Sequence, residues 1–448
     1  MPSQHPTQAP TRSGRRATPR PSSIGSRTRS RVGTPLRQWR EQLTGSRRPS
    51  MILSWGLGVD STAILLRWIQ EPASRDFALE DLVVVVAMTG DEWASTGRDC
   101  EDHVLPLLRA HGVRLVQAAR SRLHTTIAGD GIVILDDSRS PERLHLDGDF
   151  RLSDELTLTA TVPQVGGDRR CSLRAKGAVL DPVIDALTAG RGYRHAIGFE
   201  ANELTRAFGN LHTGGKKKGD HVQGPANRSA VYPLIDWNWD RQRCIDFIAG
   251  VTGGIVWEKS ACSYCPFSLA NKEGRQRVLE RIAADPAAGV DILMIEHRSL
   301  ALNPAQGLLG RGSAIDLIRQ ADLGHVLTAF HDALDASDHV LVEVRRILRP
   351  AAKDPAKLGR ADRSIRIIAT GSRAQLQQRL HQKAARAGFP VSDHDGITRL
   401  WLRRRGATLP TREHFVTIAP AGLADKAKPD FDLWWRRLDA GQPLHDTA

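Results

Sequence analysis

Cysteine is scarce in this chain. Five residues, Cys100, Cys171, Cys244, Cys262 and Cys265, are spread unevenly over 448 positions. That is too few for a secreted disulfide scaffold, so a reduced, cytoplasmic setting is expected. No run of 18 apolar residues occurs, and no membrane-spanning helix is expected. The apolar core of a secretory signal is also missing. Lysine is absent from residues 1–50, which hold eleven arginines and a single acid, Glu41. This stretch therefore carries +10 of the net +13, and the remaining body is close to neutral. Residues 1–50 are rich in Ser, Pro, Thr and Arg and poor in apolar side chains, which predicts a disordered basic tail. Three readings of the tail stand side by side. It is a nucleic-acid-binding arm, an organelle transit segment, or a dispensable extension preceding a start at Met51.

Against these absences, one stretch organises the chain. Residues 51–70 read MILSWGLGVDSTAILLRWIQ. A short apolar strand leads into the turn Gly56-Leu57-Gly58-Val59-Asp60. A helix follows, with Ile64, Leu65, Trp68 and Ile69 on one side. Asp60 and Ser61 occupy the expected N-cap. Strand, glycine turn and helix make an anion site, because the free N–H groups and the helix dipole point at the ligand. The turn lacks the lysine of GxxxxGK[ST] and the spacing of GxGxxG, which excludes both of those phosphate loops.

The remaining elements are read in order. The run 82–89, LVVVVAMT, suits a central parallel strand. A helix over 98–111 and a strand over 114–118 complete a βαβαβ alternation, which predicts a doubly wound parallel α/β sheet with ligands at the strand C-termini. Residues 120–168 read as an insertion with a strand near 131–135. A helix runs from 170 to about 188, a strand covers 194–199, and 209–229 is a glycine-rich loop holding Lys216-Lys217-Lys218. Residues 271–330 look helical, broken at Asn303-Pro304. The main domain is thus placed at 51–330, with a helical extension, and a separate small α+β domain of unknown role at 338–448. Neither a catalytic motif in that small domain nor an internal repeat in the chain is evident.

Several blocks in order resemble one family. Gly58-Val59-Asp60-Ser61 is similar to the second half of the PP-loop, SGGxDS, of the ATP pyrophosphatases and sulfonucleotide reductases. Gly56 stands where that motif has serine and Leu57 where it has glycine, and Ser54 offers a substitute hydroxyl. Thr89-Gly90-Asp91-Glu92 with Thr96 resembles the TGxE…T segment of the phosphoadenosine phosphosulfate (PAPS) reductase family. Cys171 with Lys176 resembles its C…K stretch, and Gly198 through Glu203 to Arg206 its GxRxxEsxxR segment, with Glu200 where arginine is usual. Residues 232–237 are similar to its PLIDW block, and Cys262 to Pro266 to the CxxCP of its iron–sulfur members. Residues 51–300 are thereby identified as a member of the PAPS reductase-like branch of the adenine nucleotide alpha hydrolases.

The resemblance implies ATP with Mg²⁺ in the loop and cleavage between the α- and β-phosphates. It implies nucleotide contacts from Ser54, Gly56, Gly58, Asp60, Ser61, Thr62, Thr89, Gly90 and Arg206, and catalytic roles for Asp60, Ser61, Glu92 and Lys176. Asp60 is the candidate carboxylate near Mg²⁺; helix capping is its plainer alternative. Reductases of this family carry a nucleophilic cysteine in a C-terminal ECGxH motif, whereas no cysteine follows Cys265 here. PAPS reduction is therefore the alternative rather than the first expectation. Cys262 and Cys265 have the spacing to share a metal, with Cys171 as third ligand. Three thiolates suit a [4Fe–4S] cluster with an open iron, zinc being the alternative. The expected activity is adenylation of a substrate followed by sulfur transfer, with nucleic acid as substrate and a sulfur-donor protein as partner. A non-catalytic nucleotide-binding protein is the remaining alternative. Cys244 and Cys100 read as helix residues, Cys244 in the core.

Overall fold

The computed structural model describes residues 33–165, 170–209, 219–309 and 312–442. Two sheets dominate it. The first has seven strands: β1 (Thr34–Pro35), β2 (Met51–Ser54), β3 (Leu82–Met88), β4 (Arg114–Arg120), β5 (Ile132–Ser138), β6 (Tyr193–Ala196) and β7 (Arg228–Val231), in the order β1-β5-β4-β3-β2-β6-β7. The β4-β3-β2-β6-β7 pairings are parallel, while β5 and β1 add an antiparallel edge. All seven residues of β3 are buried. Its even-numbered side chains pack with the helices Val59–Gln70 and Arg241–Thr252, and its odd-numbered ones with Leu36–Gln42 and Ala178–Thr188. Helices on both faces explain why this strand is apolar throughout rather than alternating.

Strand order reverses at β2, from which the chain first proceeds to β3 and β4 and later returns on the other side as β6. The crevice at such a switch point is where open α/β sheets place ligands. The expected glycine turn falls there.

The second sheet is antiparallel: β8 (His339–Pro350), β9 (Leu358–Gly371), β10 (Val391–His394), β11 (Ile397–Arg403) and β12 (Thr411–Pro420), ordered β10-β11-β12-β8-β9. One face packs on the helix Arg373–Ala387 through Leu376, Leu380 and Ala384. The other packs on Ala301 and Leu302 at the end of the helix Pro286–Leu302. The small α+β unit thus shares a core with the helical extension rather than standing apart.

Several expectations change. The basic tail is shorter than 1–50, because Leu36–Gln42 is a helix with Leu36 and Trp39 buried, and the Trp39 indole N–H donates to Asp137 at 2.8 Å. Arg228–Val231, which overlaps the end of the loop expected over 209–229, forms an edge strand. Pro233–Asp236 is a short helix that begins at a proline, the position where a missing N–H costs nothing. The strand expected over 194–199 ends at Ala196. Residues 1–32 of the tail and Lys216-Lys217-Lys218 lie outside the described residues.

Candidate nucleotide site

The turn after β2 is held by its own side chains. The Gly56 N–H donates to Ser61 Oγ at 3.1 Å, and the Trp55 indole N–H donates to Thr62 Oγ1 at 2.9 Å. Thr62 is fully buried, so its hydroxyl fastens the loop rather than facing the cleft. The helix N-cap is Gly58, not Asp60 or Ser61. Those two sit in the first turn. Gly58 is needed for contact: a Cβ there would lie 2.9 Å from Ser260 Oγ. Leu57, where the PP-loop has glycine, adopts φ +59°, a left-handed backbone that glycine accepts without strain.

A cleft of about 930 Å³ opens over this turn. Ser54, Gly56, Gly58, Asp60, Ser61, Lys176 and Arg206 all line it. Asp60 Oδ2 pairs with Arg241 at 2.8 Å, while Oδ1 is buried and has no hydrogen-bond partner among the described residues. Burial pushes the Asp60 carboxyl up to about 6, against the pull of Arg241 and with help from Glu203 and Glu200. Gly198 comes close to the loop from β6; a Cβ there would meet the Ser61 nitrogen at 2.9 Å. Arg206 pairs with Glu203 and lies over the Phe199 ring. Glu200, where the family motif has arginine, accepts the Asn202 N–H and caps a short turn.

Lys176 links the cleft to a second group of predicted residues. It sits in a π-helical turn, Leu173–Gly177, a geometry that recurs at functional sites. Its ammonium lies 3.2 Å from Glu92 Oε1. The negative Glu92, with Cys262 adding to it, raises the Lys176 pKa against the opposing effect of burial. Glu92 Oε2 is buried without a hydrogen-bond partner among the described residues. Glu92 also forms an isolated bridge with Cys262, and Thr89 Oγ1 lies 3.5 Å from the Cys262 sulfur. Asp91 is structural: it accepts from the Ser153 N–H and the Tyr264 hydroxyl, both at 2.7 Å. Thr89 and Gly90 belong to this wall and not to the cleft lining. A Cβ on Gly90 would strike the Arg151 side chain.

The three candidate cysteines are neighbours. Cys262 and Cys171 border the same apolar cluster, and Cys265 folds back so that its N–H donates to the Cys262 carbonyl at 2.9 Å. Yet no group of three or more His, Cys, Asp or Glu side chains converges on a metal position among the described residues. Burial, reinforced by Glu92, holds the Cys262 thiol well above its ordinary pKa. Burial also raises Cys171. Cys244 is a core residue whose thiol burial pushes up to about 12, and Cys100 is likewise fully buried.

Two features escaped sequence reasoning. Arg241, 181 positions from Asp60, reaches the loop from the start of another helix. His195 on β6 lines the cleft between Ser54 Oγ at 2.8 Å and Arg228. Arg228 Nε donates to His195 Nδ1 at 2.9 Å, so the ring is neutral, with its proton on Nε2 toward Ser54. Burial, with Arg228 adding to it, lowers its pKa to about 4. A histidine in a four-residue, otherwise largely buried strand was the available signal.

Compared with family models, curated proteins and solved structures, the chain matches none.

Proposed function

We propose that the chain is an ATP pyrophosphatase of the PP-loop type. The observation that carries this reading is Asp60. Its second carboxylate oxygen is buried and unpartnered beside a helix N-terminus and a glycine turn, inside a cleft large enough for a nucleotide. ATP would lay its phosphates on the loop N–H groups, with Lys176 reaching them from the opposite wall. The free Asp60 oxygen fits one coordination position of Mg²⁺, which supplies charge neutralisation on the phosphates when bound. A substrate oxygen attacks the α-phosphorus. The bond to the α–β bridging oxygen breaks, and pyrophosphate leaves with that electron pair, giving an adenylated substrate. The Ser54 hydroxyl accepts from His195 Nε2–H, which leaves its own proton to offer a ribose or phosphate oxygen.

Sulfur transfer is the finer expectation, and the donor geometry at Cys171, Cys262 and Cys265 carries no step of it. Iron and acid-labile sulfide on anaerobically purified protein decide it. About four irons per chain, as a [4Fe–4S] cluster requires, lost in Cys262→Ala and Cys265→Ala, would return the cluster to the mechanism. The pyrophosphatase itself is tested by incubating the protein with ATP, Mg²⁺ and hydroxylamine, a nucleophile in place of the substrate. Pyrophosphate and adenylylated hydroxylamine should appear and should vanish in Asp60→Ala. Nucleotide binding with no turnover under any acceptor would instead support a binding protein. Sulfite from PAPS and thioredoxin would support the reductase.

A further inference from the structure

The near-neutral body conceals a charge division. Residues 338–448 hold 21 basic and 12 acidic side chains, a net of +9, whereas residues 51–337 carry −6. The helix Arg373–Ala387 on the outer layer of the second sheet supplies four of these basic side chains. The helix Arg373–Ala387 contains no acid. Its apolar side, Leu376, Leu380 and Ala384, is buried on the sheet. One flank exposes Arg379, Lys383 and Arg386, one per turn, and none of the three has an acidic partner among the described residues. At 1.5 Å rise per residue this row spans about 10 Å.

The same layer continues along β12. His414, Val416 and Ile418 alternate onto one face; the latter two meet the helix Arg373–Ala387, while His414 meets Trp435 of the helix Phe431–Asp439. The β11–β12 connection ends there, since Arg403 comes within 4.0 Å of Asp439. Arg404 and Arg405 are exposed in that connection, and Arg404 lies over the Trp401 ring. No acid occurs between Gly396 and Arg412. Trp401 packs with Phe415 on the opposite face of the sheet, and Arg404 follows it there, so the basic row of the outer layer is Arg379, Lys383 and Arg386 on the helix.

We infer that this surface of the C-terminal unit binds the phosphodiester backbone of a nucleic acid. A row of Arg and Lys without acidic partners over about two helical turns matches a polyanion with closely spaced charges. A bilayer is disfavoured because the helix has already buried its apolar side and has none to insert. The inference concerns binding and stands independently of the chemistry at the cleft.

The test uses the full chain with a fluorescein-labelled 24-base-pair DNA duplex and the corresponding RNA duplex. Anisotropy is measured across a salt series. The charge-reversed variant Arg379→Glu/Lys383→Glu/Arg386→Glu should bind at least one duplex about tenfold or more weakly, and the slope of log K against log salt should fall by about 3. The control Lys272→Glu/Arg277→Glu, exposed on the helix Lys272–Ala284, should change neither. The neutral set Arg379→Gln/Lys383→Gln/Arg386→Gln gives the same direction if charge reversal lowers the melting temperature. Unchanged duplex affinity overturns the inference. So does an equal loss in the control, or a loss confined to phosphatidylserine vesicles.

Discussion

Asp60 and Arg241 share a single contact: the guanidinium holds Oδ2 at 2.8 Å and leaves Oδ1 buried and free. The arginine thus keeps a desolvated carboxyl close to ionisation without using up its coordinating oxygen. Burial still wins, and the carboxyl titrates near 6. Since kcat/KM reports the free enzyme, pyrophosphate release should rise through a limb near pH 6. Arg241→Gln removes the largest influence that lowers the Asp60 pKa, so the limb should move to higher pH. Asp60→Asn should remove turnover altogether. A pH–rate profile whose limb does not move in Arg241→Gln would detach the pair from the chemistry.

Glu92 and Lys176 form the second pair. Its value to the fold is unequal between the partners. Glu92 is almost wholly buried, whereas a third of the Lys176 side chain is exposed. Lys176→Met leaves a buried carboxylate unpaired, at a cost of roughly 1–3 kcal/mol after allowance for solvent screening. Glu92→Gln/Lys176→Met removes both charges and should recover part of that loss. Urea unfolding of the two variants checks the order. If the double variant is the less stable, Glu92 is not the group left stranded.

His195 sets a pH dependence of stability. Its folded pKa, about 4, lies below the ordinary value of 6.5. The unfolded chain therefore takes up the proton first. The contribution of the neutral ring is complete above about pH 6.5 and is lost as pH falls toward 4. Protonation would also remove the acceptor that Arg228 uses. His195→Gln should flatten the melting temperature between pH 6.5 and 4 relative to the parent. An equally steep decline in the variant would assign the effect to another group.

The sequence was readable wherever the cause was local. The apolar run of β3, the glycine turn and the alternating strands of the small unit each carry their pattern within a few residues. Even the helix Leu36–Gln42 had its pattern in place, Leu36, Trp39 and Leu43 recurring on one side, but eleven arginines outweighed it. Its anchor, Asp137, is 98 positions away. A still longer separation, 181 positions, hid Arg241 from Asp60. Strand β7 was missed because it is a four-residue edge strand in glycine-rich surroundings, and an edge needs no continuous apolar run. What local pattern does not encode is which distant polar side chain completes a site.

Leu57 shows how two local effects are weighed. Its φ of +59° costs a non-glycine residue about 1–2 kcal/mol, and the PP-loop that it resembles has glycine there. The side chain is also 2% exposed, in the cluster that joins the loop to the helices Val59–Gln70 and Arg241–Thr252. Burying a leucine is worth about 1.5–3 kcal/mol, and truncating one leaves a cavity besides, so losses of roughly 2–5 kcal/mol are usual. Packing therefore exceeds strain. Leu57→Gly should destabilise the fold by about 1–3 kcal/mol net, even though it restores the residue that suits the backbone. Leu57→Ala keeps the strain and loses most of the packing, so it should be worse than glycine. Thermal unfolding of both variants gives the ranking. An alanine variant more stable than the glycine one would mean that the left-handed turn at this position carries no cost.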